Sequence, residues 1–152
     1  MHNFEEIFTN GILWSSIFAC FLAQALKIAF HFFKNKELDF TKIMGSGGMP
    51  SSHSALVCCL TTMIGLEFGF NSAAFATCTV FSTIIMYDAA GVRKAVGEQA
   101  KILNRIRKKL ENREHNIDED LKELIGHTRL EVFAGAFLGI LIGILFSIPS
   151  VN

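Results

Sequence analysis

The sequence predicts an all-α fold: an integral membrane helical bundle of four transmembrane helices plus a cytoplasmic amphipathic helical hairpin, in one domain over 1–152. Three observations carry this. The chain is 51 % hydrophobic with 15 Phe, more than a small soluble core needs. Its 14 Lys and Arg fall only in 27–42 and 93–129, leaving 1–26, 43–92 and 130–152 with none. Such segregation is normal for a helical membrane protein and unusual for a soluble domain. The basic-free stretches also contain apolar runs of membrane-crossing length. Formal net charge is zero, so there is no basic surplus to recommend a nucleic acid as partner.

Residues 1–10 are polar and mildly acidic, and the apolar run 11–33 follows, interrupted by Gln24, Lys27 and His31. Ala23-Gln24-Ala25 has the small-x-small form of a cleavage site. The segment before it carries Glu5 and Glu6 and no Lys or Arg, the wrong sign for a signal peptide. The run reads as a retained membrane helix, with Lys27 near its inner end and able to snorkel. Residues 34–49 read as a loop, first charged and then glycine-rich. Spans over 53–70 and 73–90 follow, separated by a turn at Asn71-Ser72, and each of about 18 residues reaches across about 30 Å of hydrocarbon.

Residues 91–125 differ in kind. Val92, Val96, Leu103, Ile106 and Leu110 recur at helical spacing, with Lys94, Glu98, Lys101, Arg105 and Lys108 mostly on other faces. A basic amphipathic helix suits an anionic membrane surface. A solvated hairpin packing on its own neighbours fits the pattern equally. The last span is 130–148, ended by Pro149, with Gly135, Gly139 and Gly143 on one face. That stripe permits close helix approach in lipid, within the chain or in a homodimer. Charge asymmetry puts loops 34–52 and 91–129 in the cytoplasm and both termini outside. Cys20, Cys58, Cys59 and Cys78 lie in apolar runs without metal spacing and read as small buried hydrophobes.

This topology gathers three polar stretches at one membrane face. In Gly47-Gly48-Met49-Pro50-Ser51-Ser52-His53, Ser51 or Ser52 can cap the following helix, whose free amides and dipole suit a phosphate. A flexible loop, a cap and an incidental histidine account for the same residues. In Gly126-His127-Thr128-Arg129-Leu130-Glu131, His127 and Glu131 are four apart and share a helix face. A carboxylate on one ring nitrogen fixes the tautomer and leaves the other nitrogen to attack or take a proton. Thr128 with Glu131 is also a capping box, and the two roles require Glu131 to divide its two oxygens. Arg93 can hold a phosphate with its planar fork or simply mark the positive-inside boundary. Asp88, at the membrane edge, is expected to pair with Arg93 or Lys27. Two histidines and two carboxylates could instead bind a divalent metal. These four residues show no HxxH, ExxH or DxD spacing among them, and no metal or other cofactor is expected.

Taken together, GGMPSSHSA, YDAAGVRKAVGEQA and GHTRLEVFAG resemble the divergent branch of the type 2 phosphatidic acid phosphatase and vanadium haloperoxidase superfamily, small bacterial and plastid membrane proteins. Pro50-Ser51-Ser52-His53 resembles its PSGH motif, and His127 with Glu131 its closing HxxxD motif. The resemblance implies His127 as the nucleophile on phosphorus, Glu131 as the acid that orients it and His53 as the acid for the leaving oxygen. It implies Ser51 and Ser52 as the phosphate cradle, Arg93 as a phosphate ligand displaced by the hairpin, and Lys27 and Lys34 as an echo of the opening basic motif. Gly47, Gly48, Pro50 and Asp88 support the site. The expected function is metal-independent hydrolysis of a lipid phosphomonoester or prenyl diphosphate at the cytoplasmic leaflet of a bacterial cell membrane. The competing class is a non-catalytic module that binds anionic headgroups or a partner protein. A transporter subunit has little support, since the four spans contain no internal repeat.

Overall fold

A computed structural model of the chain describes residues 4–36, 48–111 and 126–148, without the side chains of 34–35, 93–94 and 108–111. Gly47 and the second half of the expected hairpin, 112–125, lie outside the described residues, as do the side chains of Lys34 and Arg93. Among the described residues all regular structure is helical. A 3₁₀ turn, Phe4–Ile7, precedes α1 (Gly11–Asn35), α2 (Ser52–Phe68), α3 (Ala73–Ala90), α4 (Val92–Glu111) and α5 (Arg129–Ser147).

Local chemistry sets the helix ends. The Asn10 side chain accepts from the Leu13 amide at 3.0 Å and starts α1. Ser51 caps α2, Ser72 caps α3 and Thr128 caps α5. Gly69, at φ +89°, ends α2 one residue after Phe68. α2 is therefore 17 residues long, starting and stopping before the expected 53–70 window closes. At 1.5 Å per residue it covers about 25 Å, short of the hydrocarbon thickness of about 30 Å. Three helical stretches are long and apolar enough to cross a membrane: Gly11–Phe33, Ala73–Arg107 and Arg129–Ser147. α2 is a shorter apolar helix that falls below this length.

The short helix is also the most enclosed. α2 packs against α1, α3 and α5, burying Ala55, Val57, Cys58, Cys59, Met63 and Gly65. The core is built of small side chains, Ala19 and Ala23 from α1 and Ala55 and Cys59 from α2, closed by Met63 and Ile142. Small residues let backbones approach, which is how helices gain dispersion contacts where lipid offers no hydrophobic drive. Polar groups supply the rest. Thr61 and Ser82 hydroxyls lie 2.7 Å apart, and Ser82 also donates to the Val57 carbonyl at 3.1 Å, joining α3 to α2. Large apolar side chains such as Phe18, Phe21, Val80, Phe81, Phe133 and Phe137 are exposed around the outside, the arrangement expected of a lipid-facing surface.

The glycine stripe of α5 faces α2. A Cβ at Gly135 would run into the Ser51 carbonyl oxygen, and one at Gly139 into that of Ala55. At Gly143 it would meet the Thr62 side chain at 2.9 Å. The stripe thus makes close packing inside one chain, one of the two uses its spacing allowed. Gly139→Ala should destabilise the protein by about 1–3 kcal/mol, because the new methyl meets backbone that cannot yield. Gly11→Ala, with open space around its Cβ, serves as the control. Thermal unfolding in detergent checks this: equal midpoints for the two variants would contradict the close α2–α5 contact.

Candidate functional site

The N-terminal ends of α2 and α5 and the C-terminal end of α3 meet at one end of the bundle. Two backbone bonds hold them. The Ser51 amide donates to the Glu131 carbonyl at 3.0 Å, and the His127 amide donates to the Ala89 carbonyl at 3.1 Å. The first is possible because Gly135, one turn beyond Glu131, has no side chain where the Ser51 carbonyl sits. The residue before α2 therefore docks onto the first turns of α5.

His127 stands in the short stretch ahead of α5 and is 5 % exposed. Its Nδ1 lies 3.0 Å from Glu131 Oε2. The same oxygen accepts from the Thr128 amide at 3.2 Å, while the Thr128 hydroxyl accepts from the Glu131 amide at 3.3 Å. The capping box and the histidine contact coexist, as the sequence allowed. They do not divide the two carboxylate oxygens, however: both bonds go to Oε2, and Oε1 takes part in neither. The rigid cap holds Oε2 in place, and Oε2 in turn holds the imidazole. With Nδ1 committed to the carboxylate, Nε2 is the ring nitrogen left for chemistry.

Lys27 reaches this pair from α1. Its stem packs under Gly48, where a Cβ would lie 2.8 Å from Lys27 Cε, and Gly48 takes φ +93°. Its ammonium lies within the electrostatic reach of the Glu131 carboxylate. Ser52, the first residue of α2, is buried and shares a side-chain hydrogen bond with Cys20 of α1. Cys20, Gln24 and Lys27 follow one another at i, i+4 and i+7 and so share a face of α1. Between the two contacts that face makes, Gln24 Oε1 is buried with no hydrogen-bond partner. Orphaned buried acceptors are rare, and each calls for an explanation. In the sequence Gln24 interrupts an apolar run, and its three-residue spacing from Lys27 is the signal that marks it.

Ser51 is wholly buried, and its polar groups serve the fold. Its hydroxyl accepts from the Ser54 amide at 3.4 Å and from the Ser54 hydroxyl at 3.1 Å. Its carbonyl accepts from Ala55 at 3.1 Å. His53 is exposed in the first turn of α2, two residues beyond the docking point. Asp88 is half-buried and directly precedes Ala89, whose carbonyl holds His127. Arg93 is the second residue of α4, just past the end of α3. Lys34 lies near the end of α1. Among the described residues no group of three or more His, Cys, Asp or Glu side chains is placed to hold a metal ion.

Comparison with known proteins identifies the family. The family model described as the divergent PAP2 family matches residues 8–142. The chain is 40 % identical over 154 residues to the uncharacterized membrane protein YuiD of Bacillus subtilis (strain 168), covering 93 % of this chain and 97 % of that one. No solved structure matches. The matched region takes in Lys27, Ser51, His53, Arg93, His127 and Glu131, and the chain belongs to the divergent PAP2 family.

Proposed function

We propose that this membrane protein is a lipid phosphatase, hydrolysing a lipid phosphomonoester or prenyl diphosphate through a phosphohistidine at the cytoplasmic face. The observation that supports it most is the buried His127–Glu131 pair at 3.0 Å with the charge of Lys27 beside it. A buried imidazole anchored through Nδ1 to a carboxylate is the arrangement that activates a histidine nucleophile. In the reading we favour, α2 also crosses the membrane, its short length tolerated because other helices surround it. Loops 34–52 and 91–129 then lie in the cytoplasm and both termini outside.

The steps follow from the residues. His127 Nε2 attacks phosphorus while the bond to the lipid oxygen breaks. The imidazolium that forms keeps its Nδ1 proton on Glu131, which offsets the new positive charge. His53, protonated, gives its proton to the departing oxygen and releases the lipid alcohol. Neutral His53 then takes a proton from water, whose oxygen attacks the phosphohistidine and frees His127 and inorganic phosphate. Positive side chains stabilise the charge on the equatorial oxygens; Lys27, Lys34 and Arg93 are the assigned groups. Ser52 and the start of α2 face the phosphate, and Ser51 contributes by fixing that helix start. Gln24 Oε1 accepts from the P–OH of the substrate's monoprotonated phosphate, the donor it otherwise lacks.

His127→Ala should abolish phosphate release from phosphatidate-like lipids by the purified protein without unfolding it; wild-type turnover in that variant would overturn the assignment. Glu131→Gln keeps an oxygen for the cap but loses the charge, so release should fall by about 10²–10⁴-fold with little change in stability. Vanadate should inhibit and EDTA should not, and strong EDTA inhibition would point to a metal-dependent reaction. Gln24→Leu removes an orphaned acceptor and should leave the fold as stable or more so. If the substrate supplies its donor, that variant should also turn over more slowly; unchanged kinetics would remove Gln24 from the site. Headgroup binding that survives both His53→Ala and His127→Ala, with no turnover of any lipid phosphate, would identify a binding module instead.

A further inference from the structure

α4 carries two distinct faces that its neighbours treat differently. Gly97, Ala100 and Asn104 are buried. Val92, Val96, Ile102, Leu103 and Ile106 fall on another face and are 45–54 % exposed. The face richest in large apolar side chains is therefore not the one the rest of the chain covers. Over Val92–Glu111 the helix has seven Lys and Arg against two Glu. By helical register, Lys94, Glu98, Lys101 and Arg105 lie opposite the apolar stripe. This is the distribution of a helix that lies in an interface, not of one that spans a membrane or floats in water.

The joint with α3 gives the stripe its occupant. Only Gly91 separates the two helices: its amide donates to the Tyr87 carbonyl at 2.9 Å, and its carbonyl accepts from Ala95 at 3.0 Å. α3 lies within a stretch long and apolar enough to cross a membrane. Helical hydrogen bonding runs through the joint, and the apolar residues of α3 give way to Arg93 and Lys94 directly beyond it, so α4 begins at the membrane boundary. We propose that α4 lies along that surface, its apolar stripe sunk at the boundary of headgroups and acyl chains and its Lys and Arg side chains on anionic lipid headgroups. The occupant of the exposed stripe is thus the leaflet itself. This inference stands apart from the catalytic reading and requires only that α3 crosses the membrane.

The test uses the full chain in vesicles of equal parts phosphatidylcholine and phosphatidylglycerol. Trp14 is the single tryptophan, so Trp14→Phe leaves a dark background for one reporter. Leu103→Trp probes the stripe, Ile106→Trp repeats the reading one turn on, and Glu98→Trp probes the charged face. Lipids brominated near the headgroup end of the acyl chain should quench L103W and I106W strongly, and aqueous iodide should quench them weakly. E98W should show the reverse. In pure phosphatidylcholine vesicles, bromine quenching of L103W should fall several-fold, as a surface held partly by anionic lipid requires. Iodide quenching of L103W and I106W without bromine quenching would put the stripe in water and overturn the proposal. Protection of both from both quenchers would mean that a second copy or another protein covers it, and overturns it equally. Bromine quenching indifferent to lipid charge would remove the anionic headgroups from the account.

Discussion

The docking of Ser51 onto the first turns of α5 is the contact on which the rest of the site depends. It needs two things at once: a free amide ahead of α2 to reach the Glu131 carbonyl, and a missing side chain at Gly135 to admit the Ser51 carbonyl. Neither alone would hold two helix ends together in lipid, where each unsatisfied backbone group costs several kcal/mol. Because Glu131 supplies the carbonyl and also the carboxylate that holds His127, the position of α2 and the orientation of the imidazole are tied to one residue. Gly139 and Gly143 extend the same seam along the helix and keep α5 from pivoting.

Around that seam the bundle collects polar groups that would be costly in separate places. α1 brings Cys20 to Ser52 and Lys27 to Glu131. α3 ends at the carbonyl that fixes His127 from its other side. Charged groups beside apolar spans are tolerated when they pair or meet water. The outer surface, in contrast, is apolar and aromatic.

Much of this was legible in the sequence. Segregated Lys and Arg marked the apolar helices, Thr128 with Glu131 marked the start of α5, and the four-residue step from His127 to Glu131 placed them on one face. The glycine spacing announced a close helix contact. Its partner was not legible, because Gly135, Gly139 and Gly143 describe one surface and not what lies against it. The end of α2 was missed because an apolar Phe70 continued the hydrophobic run past Gly69, whose positive φ stops the helix. The sharing of Oε2 depends on side-chain torsion, which spacing does not encode. Likewise, the polar face of α1 was hidden by its apolar neighbours, since Cys20, Gln24 and Lys27 are too widely spaced to form a local motif.

We assign the phosphoryl group in the proposed reaction to His127, held by Glu131. The most direct measurement is to mix the protein with a lipid phosphomonoester labelled at phosphorus, quench within a single turnover and test the protein for acid-labile, alkali-stable phosphate. The expected result is a phosphohistidine in the wild-type chain, mapped to His127 and absent from His127→Ala. Turnover without protein-bound phosphate, or the same bound phosphate in the His127→Ala protein, would contradict it.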